Sequence, residues 1–90
     1  MVKLRLFSAL REIAGGKEVA IEGEDLSIKD ALNRFVARFG DRAREALFDQ
    51  QGELQRSVLL LVNGEAADQG AQTRLRSGDT VAVLLPTAGG

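Results

Sequence analysis

The sequence contains neither cysteine nor histidine, and these two absences remove most of the chemistry a small protein performs alone. Without cysteine there are no disulfides and no thiolate metal sites, so the fold must hold by packing. Without histidine there is no imidazole base, no His-ligated zinc, and no Ser-His-Asp or Cys-His nucleophile. Long apolar runs are also missing: Val58 to Val62 is the length of a strand, whereas a membrane span needs about 20 apolar residues. Met1 leads directly into the alternating segment Val2-Lys3-Leu4-Arg5-Leu6, with no apolar core of a secretory signal, so the expected location is cytoplasmic. The net charge is −1 and the basic residues are dispersed, which argues against a nucleic-acid partner. Arg38, Arg42 and Arg44 are interleaved with Asp41 and Glu45 and read as a solvated helix face.

What is present is one small globular domain. The 90 residues are 44% apolar and 28% charged, an ordinary balance for a packed core. Val2 to Phe7 alternates as a strand with one buried face, which places Phe7 on the outward side. Ser8 to Ala14 reads as a connector, Gly15-Gly16 as a turn, and Lys17 to Glu22 as a second strand that completes a hairpin. Ser27 and Asp30 form a capping-box pattern ahead of Ile28, Ala31, Leu32, Phe35, Val36 and Phe39 at helical spacing. Gly40 is expected to end that helix in a left-handed conformation, with one or two further turns over Asp41 to Phe48 and a turn at Gln51-Gly52.

Ser57 to Asn63 is apolar on both faces, as suits a strand covered on one side by the helix and on the other by something else. Asn63-Gly64 is a tight-turn signal. Ser77-Gly78-Asp79 launches a last strand, Thr80 to Leu85, in which Leu84 points outward, and Pro86 ends it. Strand, strand, helix, strand, short edge element, strand is the order of an α+β β-grasp: a mixed four- to five-stranded sheet on one main helix. The expected division is a domain over 1–85 and a flexible tail over 86–90.

That tail, Pro86-Thr87-Ala88-Gly89-Gly90, carries the one chemical group of interest. Glycine lets a narrow channel close on the backbone, at a cost in conformational entropy that a structural terminus has no reason to bear. Glycine-rich ends also arise as plain frayed termini. The functional reading makes the Gly90 carboxylate the reacting group. A carboxylate is a poor electrophile, so a partner must activate it, most simply as an acyl-adenylate formed with ATP; sulfide or a persulfide then displaces AMP and leaves a thiocarboxylate. The chain itself binds no cofactor or metal and is expected to be a carrier, not an enzyme. Glu22, Glu24, Asp25 and Asp30 are better read as favouring the helix N-terminus than as a catalytic cluster, and no glycine-rich phosphate loop precedes a helix.

The segment Val2 to Gly15, with Phe7, Ala9 and Leu10-Arg11-Glu12, resembles the opening of molybdopterin-synthase small subunits (MoaD). Val62-Asn63-Gly64-Glu65 and Ser77 to Val83 are similar to that family's later strand-turn segments, and the chain shares its Gly89-Gly90 ending. The resemblance spans essentially the whole sequence and places it among ubiquitin-related sulfur carriers of the MoaD/ThiS type. It implies adenylation and thiocarboxylation at Gly90 (a 1-thioglycine) by an E1-like enzyme, with Pro86, Thr87, Ala88 and Gly89 threaded into the partner. It also implies an apolar docking surface at Phe7, Ala66 and Leu84, although such residues also occur singly on ordinary surfaces. The sulfur acceptor would be the molybdopterin synthase large subunit, for molybdenum cofactor synthesis. Cysteine synthase, tRNA thiolation and isopeptide-forming modification of a substrate lysine stand as alternatives; Lys3, Lys17 and Lys29 could accept such links in chains, although scattered lysines are usually plain surface. Leu85-Pro86-Thr87-Ala88 carries one proline before the final residues where the family's tail usually has two. The stretch Asp49 to Arg56 lengthens the middle, as in archaeal-type members and carriers of a cysteine-synthesis pathway.

Overall fold

The alternation of the first six residues sets up the sheet. In the computed structural model, which describes residues 1–67 and 73–85, β1 (Val2–Leu6) buries Val2, Leu4 and Leu6 and exposes Lys3 and Arg5. Antiparallel to it runs β2 (Glu18–Ile21), with Val19 and Ile21 inward. On the other side β1 pairs in parallel with β7 (Thr80–Leu84), which pairs antiparallel with β4 (Leu59–Val62), followed by the short edge strand β5 (Glu65–Ala67). The order β2-β1-β7-β4-β5 is the mixed five-stranded sheet expected of a β-grasp.

The main helix, α2 (Ile28–Phe39), starts as its sequence dictates: Ser27 Oγ accepts from the Asp30 amide at 3.0 Å, and the Asp30 carboxylate accepts from the Ser27 amide at 3.3 Å. Ile28, Ala31, Leu32, Phe35 and Val36 form its buried stripe against the inner sheet face. Phe35, Leu4, Leu6, Val81 and Val83 are at most 1% exposed. Truncating such a side chain removes both its transfer free energy and its packing partners. The short α3 (Asp41–Leu47) seals one end with Ala43 and Leu47.

Several expectations are corrected. Ser8 to Ala14 is not an irregular connector: it contains α1 (Ala9–Ala14), which buries Leu10, and Gly15 caps it at φ 76°, ψ 22° with its amide on Arg11 O. Leu10, Ile13 and Ala14 have helical spacing, but six residues are too few for periodicity to announce a helix. Gly40 is not left-handed helical but lies at φ 87°, ψ −160°, ending α2 and starting α3. A chain that must restart a helix at the next residue needs this glycine-only region. Residues Leu26–Ser27 (β3) and Arg74–Leu75 (β6) form a second, two-stranded sheet, too short to show a period. The last strand ends at Leu84, one residue before the expected Leu85.

The start of β7 is fastened to both neighbours. Asn63 (φ 51°) and Gly64 (φ 86°) make the β4–β5 turn with both residues at positive φ, as the Asn-Gly pair signals. Asn63 has a second task, since its Oδ1 accepts from Thr80 N (3.0 Å) and its Nδ2 donates to Asp79 Oδ1 (3.1 Å). The other Asp79 oxygen accepts from Arg76 N at 2.8 Å, and Asp79 O accepts from Lys3 N at 2.9 Å. The Arg76 amide and, next, the Asn63 amide hold the Asp79 carboxyl below its ordinary pKa.

The two faces of β4 should respond differently to truncation. Leu59 is 62% exposed while its neighbour Leu60 is 2% exposed, so Leu60→Ala is expected to cost about 2–5 kcal/mol in chemical denaturation and Leu59→Ala no more than about 0.5 kcal/mol. Because Asp79 has a lowered folded-state pKa, its stabilisation is present above the unfolded value and is lost as pH falls through the lowered one. Melting temperature should therefore drop on acidification below roughly pH 4, and Asp79→Asn should melt lower at neutral pH with a shallower acid decline.

Candidate docking site

The period of two that buries Val81 and Val83 turns Ala82 and Leu84 to the opposite face of the sheet. There they meet the outward residues of β4: Leu59 lies opposite Leu84, and Leu61 opposite Ala82. Ala66 on β5 extends the row, opposite Leu61. Leu59, Leu61, Leu84 and Ala66, with Arg56, line an open concavity of about 500 Å³. The helices pack against the other face, so no described element covers this one. Arg5, opposite Ala82 on β1, borders it on the far side. The surface is thus an apolar centre between two basic side chains, the pattern of an interface core with a polar rim.

The sequence-derived docking residues are only partly brought together. Leu84 (half-buried) and Ala66 (exposed) both line the concavity. Phe7 does not: it follows β1 one residue beyond the Leu6–Val83 pairing, is half-buried, and carries the Arg11 guanidinium over its ring at 5.2 Å. The Arg11 Nε also donates to Leu6 O at 2.9 Å, which holds the cation there. Pro86, Thr87, Ala88, Gly89 and Gly90 lie outside the described residues. Leu59 and Leu61 belong to the site but were not singled out from sequence. Their signal was the run from Val58 to Val62, apolar on both faces, which requires a second covering that the helix cannot supply.

The acidic residues near α2 are engaged structurally. Asp25 accepts from Arg74 Nε at 3.0 Å, and Arg74 Nη2 donates to the Asp25 carbonyl. That hydrogen bond and the Arg74 charge lower the Asp25 pKa. Asp30 completes the helix cap, and among the described residues no group of three or more acidic side chains converges on a metal position. Nor, among them, is any helix long and apolar enough to cross a membrane. The described residues that line the concavity can present apolar area to a partner, and none of them is an acid or a nucleophile.

Known proteins share this arrangement along nearly the full length. Residues 4–90 match the model of the ThiS family. Small archaeal modifier protein 1 of Haloferax volcanii is 34% identical over 87 residues, covering 96% of this chain and 97% of that protein. Its crystal structure superposes with a TM-score of 0.79 at 35% identity, over 99% of this chain and 98% of that one. A chain of the Amycolatopsis orientalis BexX/CysO complex is 25% identical, covered completely on both sides, with a TM-score of 0.78. A Pyrococcus furiosus protein assigned as subunit 1 of molybdopterin converting factor is 28% identical over 94% of this chain and 95% of that one, with a TM-score of 0.72. With the β-grasp sheet, the open apolar face and a family match over residues 4–90, the chain belongs to the ThiS family of ubiquitin-like small modifiers and sulfur carriers.

Proposed function

We propose that the chain is a sulfur carrier whose Gly90 carboxylate is adenylated with ATP by an E1-like enzyme and converted to a thiocarboxylate, which then donates its sulfur to molybdopterin synthesis. The observation that carries this reading is the apolar row that no described element covers, ending at Leu84, the last residue of β7, a few positions before Gly89-Gly90 in the sequence. A partner seated on Leu59, Leu61 and Leu84 grips the strand that leads directly to the reactive end.

The division of labour follows from what the chain lacks. Adenylation makes the carboxyl carbon electrophilic by giving it AMP as leaving group, and the incoming sulfur nucleophile expels AMP. Both steps need general acid–base and metal–phosphate chemistry, and among the described residues of this chain no group of three or more acidic side chains converges on a metal position. The activating enzyme provides that chemistry, and this chain contributes recognition and one carboxylate. The acceptor by this proposal is the molybdopterin synthase large subunit, a destination supported by the likeness to the molybdopterin converting factor subunit.

A second reading has its own support, the likeness to small archaeal modifier protein 1. There the activated Gly90 is captured by a lysine amine, giving an isopeptide in place of a thiocarboxylate.

Intact mass spectrometry after incubation with ATP, sulfide and the organism's own E1-like enzyme separates these outcomes. The carrier reading predicts one oxygen exchanged for sulfur, and a chain ending at Gly89 should acquire none. Conjugates surviving a denaturing gel, without any thiocarboxylate, would favour the modifier. Leu84→Asp should keep the melting temperature near that of the parent and slow charging by about 10- to 100-fold, the loss expected when an interface anchor is replaced by a charge.

A further inference from the structure

The sheet ends at β2, a four-residue edge strand, and two side chains of α2 reach over to it. Leu6 N donates to Lys17 O, so the pairs that bond across β1 and β2 are Leu6–Lys17, Leu4–Val19 and Val2–Ile21, two residues apart. The intervening residues Glu18, Ala20 and Glu22 therefore turn their backbone groups away from the sheet. Such a row is a template for another strand. Here two of its carbonyls are taken: Arg34 Nη1 donates to Glu22 O at 2.6 Å and Arg38 Nη1 to Ala20 O at 3.4 Å.

The spacing fits this task. Arg34 and Arg38 are one helical turn apart, about 6 Å along α2, while alternate residues of β2 are about 6.8 Å apart. The helix runs opposite to the strand, so successive arginines meet successive outward carbonyls in reverse order. Gly23 allows the first contact, since a Cβ at that position would lie 3.0 Å from Arg34 Nη1. The strand adds a second, weaker barrier. In the antiparallel β2–β2 register with most bonds, centred on Ala20, Glu18 of one copy faces Glu22 of the other, and like charges directly opposite destabilise. Other registers avoid that clash, but the guanidinium caps act in all of them.

We propose that Arg34 and Arg38 form a latch that closes the β2 edge to strand addition, the excluded occupant being the β2 edge of a second copy of this chain. The latch is independent of what Gly90 does. Arg38 thereby gains a specific partner that a general solvated helix face does not provide.

The test compares the full-length chain with R34A/R38A, and with R42A/R44A as a control that removes the same charge from two exposed arginines of α3. Light scattering after gel filtration over a wide concentration range should find the parent and the control monomeric. The double variant should self-associate at least about tenfold more tightly, as loss of a cap worth about 1.4 kcal/mol implies. Hydrogen exchange should then slow at the Ala20 amide as the dimer forms, and R34K/R38K, which retains donors, should restore the monomer. A double variant that stays monomeric, or that dimerises without protecting Ala20, overturns the proposal. If the double variant fails to fold, R34A alone, which removes the shorter bond, is read by the same criteria.

Discussion

A sheet has two faces, and the described residues of this chain supply one layer of helices. The period of two along β7 sends Val81 and Val83 into the core and Ala82 and Leu84 to the other side, and no local adjustment can bury both sets. Because β7 lies between β1 and β4, its outward residues sit in the middle of the open face, flanked by the Leu59 and Leu61 side chains of β4. The apolar patch is therefore a direct consequence of building a β-grasp with a central strand that is apolar on both faces. Replacing those outward residues by polar ones would leave the core untouched, so the core does not account for their apolar character.

The fastening of β7 bears on the same patch. Asn63, Asp79 and Arg76 hold its first residues through side-chain bonds to β4 and the preceding turn, while Lys3 holds them from β1. These contacts fix the register in which Leu84 lands opposite Leu59. The strand that leads toward Gly89-Gly90 is paired on both sides, with β1 and with β4 as far as Leu84, so the patch and the end of β7 keep a defined relation.

Much of this was legible in the amino-acid order. Ser27 with Asp30, preceding apolar residues at helical spacing, announces α2 to the residue, and Asn63-Gly64 announces its turn. The β-grasp order and the family emerge from such local signals taken in sequence. What could not be read depended on distance. The pairing of Leu26–Ser27 with Arg74–Leu75 joins two dipeptides far apart in the chain, and neither has a period of its own. Helix α1 is so short that its three apolar positions fit a connector equally well. Phe7 has the parity of the outer face, yet Arg11 from α1 lies over its ring, an arrangement that needs the helix to be known first. Leu59 and Leu61 were visible only as an excess of apolar residues, and their role emerged when β7 and β5 were set beside them.

If partners read the outer face of β4 and β7 while the helical side remains free, methyl NMR of the chain titrated with an E1-like enzyme, the activating partner proposed above, tests this most directly. The methyl signals of Leu59, Leu61 and Leu84 should shift or broaden, and those of Leu32 and Val36 on α2 should stay in place. Perturbation confined to α2 and α3, with the three leucines unchanged, would contradict docking through the open face.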